Sequence, residues 1–500
     1  MPPLHAITGI DDVRRLLPIF MASGFGILVM LVDPFVPASR KTFVAHLGVI
    51  GGLAALMSVP VSWRYMGSAY SDLAYANLLQ VDYFSIFLFA AIFSFAFLAM
   101  LGSLDYLERE GLQRGEYYAL VLFATAGMAV MACAQELLTA FIGLEVSSIA
   151  SYILAGYRRN APKSNESALK YFLLGSFATA FFLYGAALIF GGAGSTQLDA
   201  IRDIILHPSP SLHTDNTLLV LGIALVFVGL SFKVATAPFQ FWTPDVYEGA
   251  PTPVTALFAS GPKAAAFAIL VRVLYAAFGS FHGTWFWAVW GSAVLTMFLG
   301  NLAALVQTNV KRMLAYSSIA HAGYILVAFA ANSELGVAAL LFYILVYALV
   351  KLGAFTLLGH LGGEGERRLA IEDLAGLGRT HPLAAACMSL YLLSLMGLPI
   401  TAGFMGKLYI LKAALDSRLT GLAVILAVNS VISAYYYLRV VRVMYFSEPP
   451  TDWQPAPVPY AVGAVMFLTS LATIYLGLFP DAVRSLTRLS AQALLPPALR

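Results

Sequence analysis

Runs of roughly 20 apolar residues recur along almost the whole chain, separated by short polar stretches. A run of that length is what an α-helix needs to cross the hydrocarbon core of a bilayer. The pattern predicts about fourteen such helices, at 16–32, 42–62, 83–101, 118–134, 136–155, 168–190, 217–241, 252–278, 284–306, 313–331, 334–360, 382–416, 420–442 and 459–480. The first run follows "DDVRR" and exceeds the ~7–15 apolar residues of a signal peptide, with more spans immediately after, so it reads as a transmembrane helix. The run at 382–416 is too long for one straight span, and Gly397, Pro399, Gly403 and Gly406 interrupt it. No soluble domain fits between the runs. The longest polar gaps, Gly191 to Asn216 and Gly362 to His381, are loops of ordinary size.

Composition agrees with this pattern. Of the 500 residues, 60% are hydrophobic and 11% charged, against roughly 25% charged in soluble domains. The expected fold class is an all-α polytopic membrane protein. A formal net charge of +3 is negligible at this length and gives no reason to expect a nucleic-acid partner. Cys133 and Cys387 lie far apart in apolar stretches with no CxxC pair, which suits small core residues better than an iron–sulfur or zinc site. "GFG" at Gly24 and "LGGEGE" at Leu361 neither follow a strand nor open a helix, as a phosphate-cradling loop must. Neither nucleotide nor flavin is expected in this chain.

Basic residues mark cytoplasmic loops. The connections after odd-numbered runs carry Arg40 and Lys41, Arg109 and Arg114, Arg158, Arg159 and Lys163, Lys311 and Arg312, Arg367, Arg368 and Arg379, then Arg439 and Arg442. The opposite loops hold Arg64, Arg202, Arg272, Lys412 and Arg418. That bias puts both termini outside the cytoplasm; Arg14 and Arg15 pull mildly the other way.

A few ionisable residues fall near the middle of the runs. Glu145 is about ten residues into its run, roughly 14 Å down at 1.5 Å per residue, near the centre of a ~30 Å core. Lys263, His321, Lys351 and Lys407 are similarly placed. A charge at that depth costs ~2.5–3.5 kcal/mol on insertion scales. Such a set is tolerated only if its members face one another or water. Bland readings exist for each: a lysine near a helix end, such as Lys412 or Lys351, can snorkel, a Glu–Lys pair can be structural, and His321 can be a satisfied core histidine. Lys233, Lys263 and Lys407 have apolar residues on both sides, which makes snorkelling harder.

Lys233 is followed by Pro238, which within a helix would remove an N–H and clash with the carbonyl of Val234. Irregular backbone at membrane depth is tolerated only where protein buries it or water lines it. In "GLPITAGFMGKLYIL" a second long run is broken just before Lys407. Two interrupted helices, five spans apart and each bearing a lysine, suggest an internal repeat of the kind that marks ion pathways in transporters.

The stretches "FKVATAPFQFWTPDVYEGAPTPVTALFASGPKAAAF", "ELLTAFIGLEVSSIASYILAGY", "SNESALKYFLLGSFATAFFLYG", "IEDLAGLGRTHP" and "LMGLPITAGFMGKLYIL" carry a resemblance. In order, and over roughly Tyr83 to Leu478, the chain resembles the subunit N family of bacterial respiratory complex I, the NADH–quinone oxidoreductase. The resemblance implies fourteen helices with two inverted five-helix repeats, broken at helices 7 and 12. It divides the chain into a three-helix segment (1–117), a first repeat (118–278), a second repeat (284–442) and a last helix (459–480). It places proton-handling roles on Glu145, Lys233, Lys263, His321 and Lys407. Lys351 stands where a neutral polar residue is expected, so its role is the open one.

The same resemblance implies a proton-translocating subunit of the bacterial inner membrane, with other membrane-arm subunits, lipid, protons and water as partners. NADH, FMN, iron–sulfur clusters and quinone would be bound by other subunits. Lys233 would hold its proton close to Glu145 and release it as the two separate, through His321 and Lys263 toward Lys407. Related subunits differ in readable ways: one needs a long C-terminal lateral helix, and the subunit M type carries glutamate at the place of Lys407. The alternative is a subunit of a multi-subunit sodium/proton antiporter, which shares Glu145, Lys233 and Lys263; "WTPDVYEGAPTP" favours the complex I subunit. A passive scaffold would not need lysines at mid-membrane.

Overall fold

The computed structural model describes residues 9–66, 73–75, 77–207, 215–449 and 456–495. Among them the architecture is helical, apart from a two-rung ladder pairing Leu73 with Gln80 and Ala74 with Leu79. Helices one to six are Leu17–Val32, Lys41–Tyr65, Tyr83–Arg109, Gly115–Cys133, Leu137–Ala155 and Pro162–Ala193. Helix seven is Asn216–Val234 with a second half-helix Thr243–Gly249, and helix eight is Thr252–Val271. Helices nine to eleven are His282–Leu305, Val310–Ala330 and Glu334–Leu361. Helix twelve is two half-helices, Pro382–Met396 and Ala402–Asp416, followed by helix thirteen, Thr420–Phe446, and helix fourteen, Tyr460–Leu478. Every expected span is present. Thirteen of the described helical segments are long and apolar enough to cross a membrane, and the first half of helix twelve, Pro382–Met396, is a shorter apolar helix.

The ends differ from the apolar pattern where polar residues continue a helix past the hydrocarbon. Helix three runs on through "DYLER", and helix six opens at Pro162, whose missing N–H costs nothing in a first turn. Side-chain caps define several starts: Asp82 for helix three, Glu136 for helix five, Asn309 for helix ten and Ser333 for helix eleven. A short amphipathic helix, Asp481–Leu494, was not anticipated; it packs its Thr487, Ser490, Ala491 and Leu494 face inward.

Helix seven corrects one expectation. It stops at Val234, with Ala235 in the left-handed region (φ 63°), so Pro238 lies in the break and not inside a helix. The break is stitched by other partners. The Ala237 N–H donates to Thr296 Oγ1 of helix nine (2.8 Å), and Trp242 Nε1 donates to the Phe232 carbonyl (3.0 Å). The second half-helix is anchored by ion pairs: Asp245 with Lys170 (2.6 Å) and Arg312 (2.8 Å), Glu248 with Lys163 (2.9 Å) and Arg312 (2.8 Å). Burial alone would raise both carboxyls, but these cations more than offset it and hold them below the usual range.

Helix eight is the axis of the molecule, since every one of its residues is buried, and helices ten and eleven are nearly as enclosed. Helices one, six, thirteen and fourteen turn exposed Leu, Phe, Ile and Val outward, the surface a bilayer covers. Small residues let neighbouring helices approach closely. A Cβ on Gly127 of helix four would stand 2.6 Å from the Gly143 carbonyl of helix five, and one on Gly185 of helix six 2.7 Å from that of Gly222 in helix seven.

Candidate functional site

Lys233, Lys263, His321, Lys351 and Lys407 are all buried. They form two groups with different surroundings. Lys233 sits in the last turn before the break of helix seven, where the negative end of the helix dipole favours a cation. Its ammonium donates to Ser148 Oγ (2.9 Å) and Tyr171 OH (3.3 Å), and lies over the rings of Tyr152 and Tyr171. Tyr171 in turn stacks on Trp242 (4.6 Å between centroids) and meets Phe258 edge-on. Glu145 lies one helical turn before Ser148 on helix five and is half-buried, beside the exposed Ile142, Val146 and Ile149. Glu145 makes no ion pair among the described residues; the hydroxyls of Ser148 and Tyr171 hold Lys233 instead.

The second group is joined by hydrogen bonds. Lys351 of helix eleven donates to Ser317 Oγ (2.8 Å) and to the Leu314 carbonyl (2.8 Å). Ser317 Oγ bonds Tyr437 OH (2.5 Å), Tyr437 OH bonds His321 Nε2 (3.1 Å), and His321 Nδ1 bonds Tyr343 OH (2.7 Å). This is an unbroken chain of five exchangeable groups drawn from helices ten, eleven and thirteen. Hydroxyl and imidazole groups can each accept a proton on one side and donate on the other, which is what a relay requires. Lys263 stands beside it, donating to the Ser318 carbonyl (2.6 Å) and sharing the ring of Tyr347 with Lys351.

Lys407 closes the arrangement at the break of helix twelve. It belongs to the second half-helix, yet its ammonium reaches back to the Met396 carbonyl that ends the first (2.9 Å) and lies 4.8 Å from the centre of the Tyr324 ring. Gly397 makes room for it. Its φ of 96° is one that side chains resist, and a Cβ there would stand 3.2 Å from the Lys407 Cδ. Tyr324 packs edge-on against His321 (5.2 Å) and is held by Asn301, which also bonds Asn429 (3.0 Å) and Tyr436 (2.9 Å). The neighbouring Gly406 lies against the Tyr343 ring, bringing Lys407 to the far end of the chain from Lys351.

Lys351 was the residue without an assigned role; the fold puts it at the head of the hydrogen-bonded chain. The tyrosines were not singled out from the sequence, although part of their signal was there. Ser317, His321 and Tyr324 recur at helical spacing on helix ten, as do Tyr343, Tyr347 and Lys351 on helix eleven. Tyr437 had no local signal, because it comes from a helix more than a hundred residues away. Among the described residues there is no cluster of three His, Cys, Asp or Glu that could hold a metal ion.

Residues 134–433 match the family model described as NADH:quinone oxidoreductase/Mrp antiporter, transmembrane. The chain is 46% identical over 482 residues to NADH-quinone oxidoreductase subunit N 1 of Solibacter usitatus, covering 96% of this chain and 97% of that protein. It is 43% identical to subunit N of Trichlorobacter lovleyi, covering 94% and 95%. A chain of respiratory complex I from Thermus thermophilus superposes with a TM-score of 0.75 at 37% identity, over 94% of this chain and 98% of that one. A chain of the Mrp complex from Dietzia superposes at 0.83 with 21% identity, over 98% and 99%, a likeness of fold alone. With its apolar spans, two of them broken, and buried lysines set on that frame, this multi-pass membrane protein belongs to the NADH-quinone oxidoreductase subunit N family.

Proposed function

We propose that this chain is a proton-translocating membrane-arm subunit of NADH–quinone oxidoreductase, with the redox cofactors carried by other subunits. The observation that supports it best is the chain Lys351–Ser317–Tyr437–His321–Tyr343 between Lys263 and Lys407, because a scaffold has no use for five exchangeable groups in line. In this reading Lys233 is the loading group, with Glu145 as the mobile partner that sets when it holds a proton. Lys263 and Lys351 receive the proton at the centre, and Lys407 delivers it toward the outer face. The distribution of basic loops supports an orientation with both termini on the periplasmic side of a bacterial plasma membrane. Quinone reduction elsewhere in the complex supplies the energy.

The sodium/proton antiporter reading shares the fold, and Lys407 separates the two. Arginine keeps the charge but stays protonated and cannot hand a proton on. Lys407→Arg should therefore assemble normally and slow NADH-driven acidification of membrane vesicles by about a hundredfold or more, the scale of a lost acid–base group. Transport that survives in Lys407→Arg but is lost with disassembly in Lys407→Ala would make the charge structural. Transport that needs a sodium gradient and ignores a quinone-site inhibitor would establish the antiporter.

A further inference from the structure

The loops at the basic end of the molecule enclose a carboxylate that the relay above does not use. Glu366 follows helix eleven and is almost fully buried. Its oxygens accept from Lys311 Nζ (2.8 Å), the Thr252 N–H (2.7 Å), the Thr252 hydroxyl (2.6 Å) and Tyr106 OH (2.7 Å). Arg158 lies 3.9 Å away and is itself paired with Glu110. Burial alone would raise the Glu366 carboxyl, but Lys311 and the hydroxyl and amide donors more than offset it and keep it charged. Lys311, fully buried, also donates to the Ala250 carbonyl. One carboxylate thus joins the end of helix three to the starts of helices eight and ten.

Two features lie on either side of this pair. Outside is a cavity of about 180 Å³ whose walls include Arg158, Lys163, Glu248, Asn309 and Glu366; Lys163 is largely exposed, so the cavity meets solvent. Inside, helix ten continues from Lys311 to Leu314, whose carbonyl holds Lys351, then Ser317, then Ser318, whose carbonyl holds Lys263, then His321. At 3.6 residues per turn these positions share one side of the helix. Lys311 stands at the top of that polar side and is bonded to Glu366, one of the walls of the cavity.

We propose that the Glu366–Lys311 ion pair gates a second intake, one that reaches the central lysines directly and not through Lys233, resting on the relay reading given above. Closed, it separates cytoplasmic water in the cavity from the polar side of helix ten. Open, it lets a hydrated proton pass from that water to whichever of Lys351 or Lys263 is neutral at that moment, and only N–H and O–H bonds exchange. A buried pair leaves an uncompensated charge when one partner is removed, so variants at either end should favour the open state.

The test uses the assembled complex in inside-out vesicles and Ser317→Cys as a reporter for an anionic methanethiosulfonate reagent. The native Ser317 complex supplies the background from Cys133 and Cys387. Labelling should be slow with the pair intact, at least tenfold faster with Glu366→Gln or Lys311→Met, and slow again with Lys311→Arg, which restores the charge. Equal rates in all four overturn the gate. Should Glu366→Gln fail to assemble, Lys311→Met carries the test, since it leaves Glu366 its Thr252 and Tyr106 donors. In the native Ser317 background, Lys311→Met should also lower the protons moved per NADH oxidised; an unchanged ratio likewise overturns the gate. Labelling needs no turnover, so it fails only with the gate, whereas wild-type pumping by Lys407→Arg would strike the relay reading alone.

Discussion

The two broken helices hold their lysines in opposite ways. Lys233 precedes its break and is gripped by two hydroxyls, with Tyr171 stacked on Trp242 and edge-on to Phe258 beside it. Lys407 follows its break and rests on a backbone carbonyl and an aromatic face. Only the second has a hydrogen-bonded chain leading toward it. Among the described residues no such chain joins Lys233 to Lys263, and aromatic rings flank Lys233 instead. A carboxylate on an adjacent helix, Glu145, is available to Lys233, while Lys407 has no ion pair among the described residues. In the proposed reading, one half of the molecule holds and switches a charge and the other conducts.

The difference can be broken by single hydroxyls. Tyr437→Phe removes the group that links Ser317 to His321, and should slow NADH-driven acidification by about a hundredfold or more, the scale of a lost acid–base group. Tyr171→Phe removes one of two acceptors of Lys233 and leaves Ser148, so the rate should fall only about threefold, as for one hydrogen bond worth ~0.5–1.5 kcal/mol. Finding the larger loss in Tyr171→Phe would reverse the assignment of the two halves.

Stability should report the same asymmetry more weakly. Gly397→Ala places a side chain in left-handed backbone, at about 1–2 kcal/mol, and crowds Lys407. The complex should then melt at a lower temperature, with helix twelve exchanging amide hydrogens first. Protection that stays unchanged there would mean the break readily accommodates a Cβ. The smallest effect belongs to the second half of helix seven. Asp245 and Glu248 have carboxyls held below their unfolded values, so their stabilisation is present above the unfolded value and is lost as pH falls through the lowered one. Exchange at residues 243–249 should rise on acidification below the usual carboxylate range, ahead of the rest of helix seven.

Much of this was legible in the residues alone. The fourteen spans could be read because a bilayer leaves a helix one way to satisfy its backbone and requires about 20 apolar residues to do it. The buried lysines and His321 stood out for the complementary reason, that a charge in such a run is too costly to be incidental. The breaks were legible as glycine and proline, although the backbone of helix seven turns at Ala235, three residues before its proline, because the turn is stabilised by contacts to Thr296 and Trp242. What the pattern could not supply was connectivity. Hydrogen bonds reach about 3 Å, so whether Lys351 meets Ser317, and Ser317 meets Tyr437, depends on how helices ten, eleven and thirteen cross. The burial of Glu366 against Lys311 likewise exists only once a loop after helix eleven folds over the starts of helices eight and ten. Local sequence carries the price of placing a charge in the membrane; only the packing of distant helices decides which partner meets it.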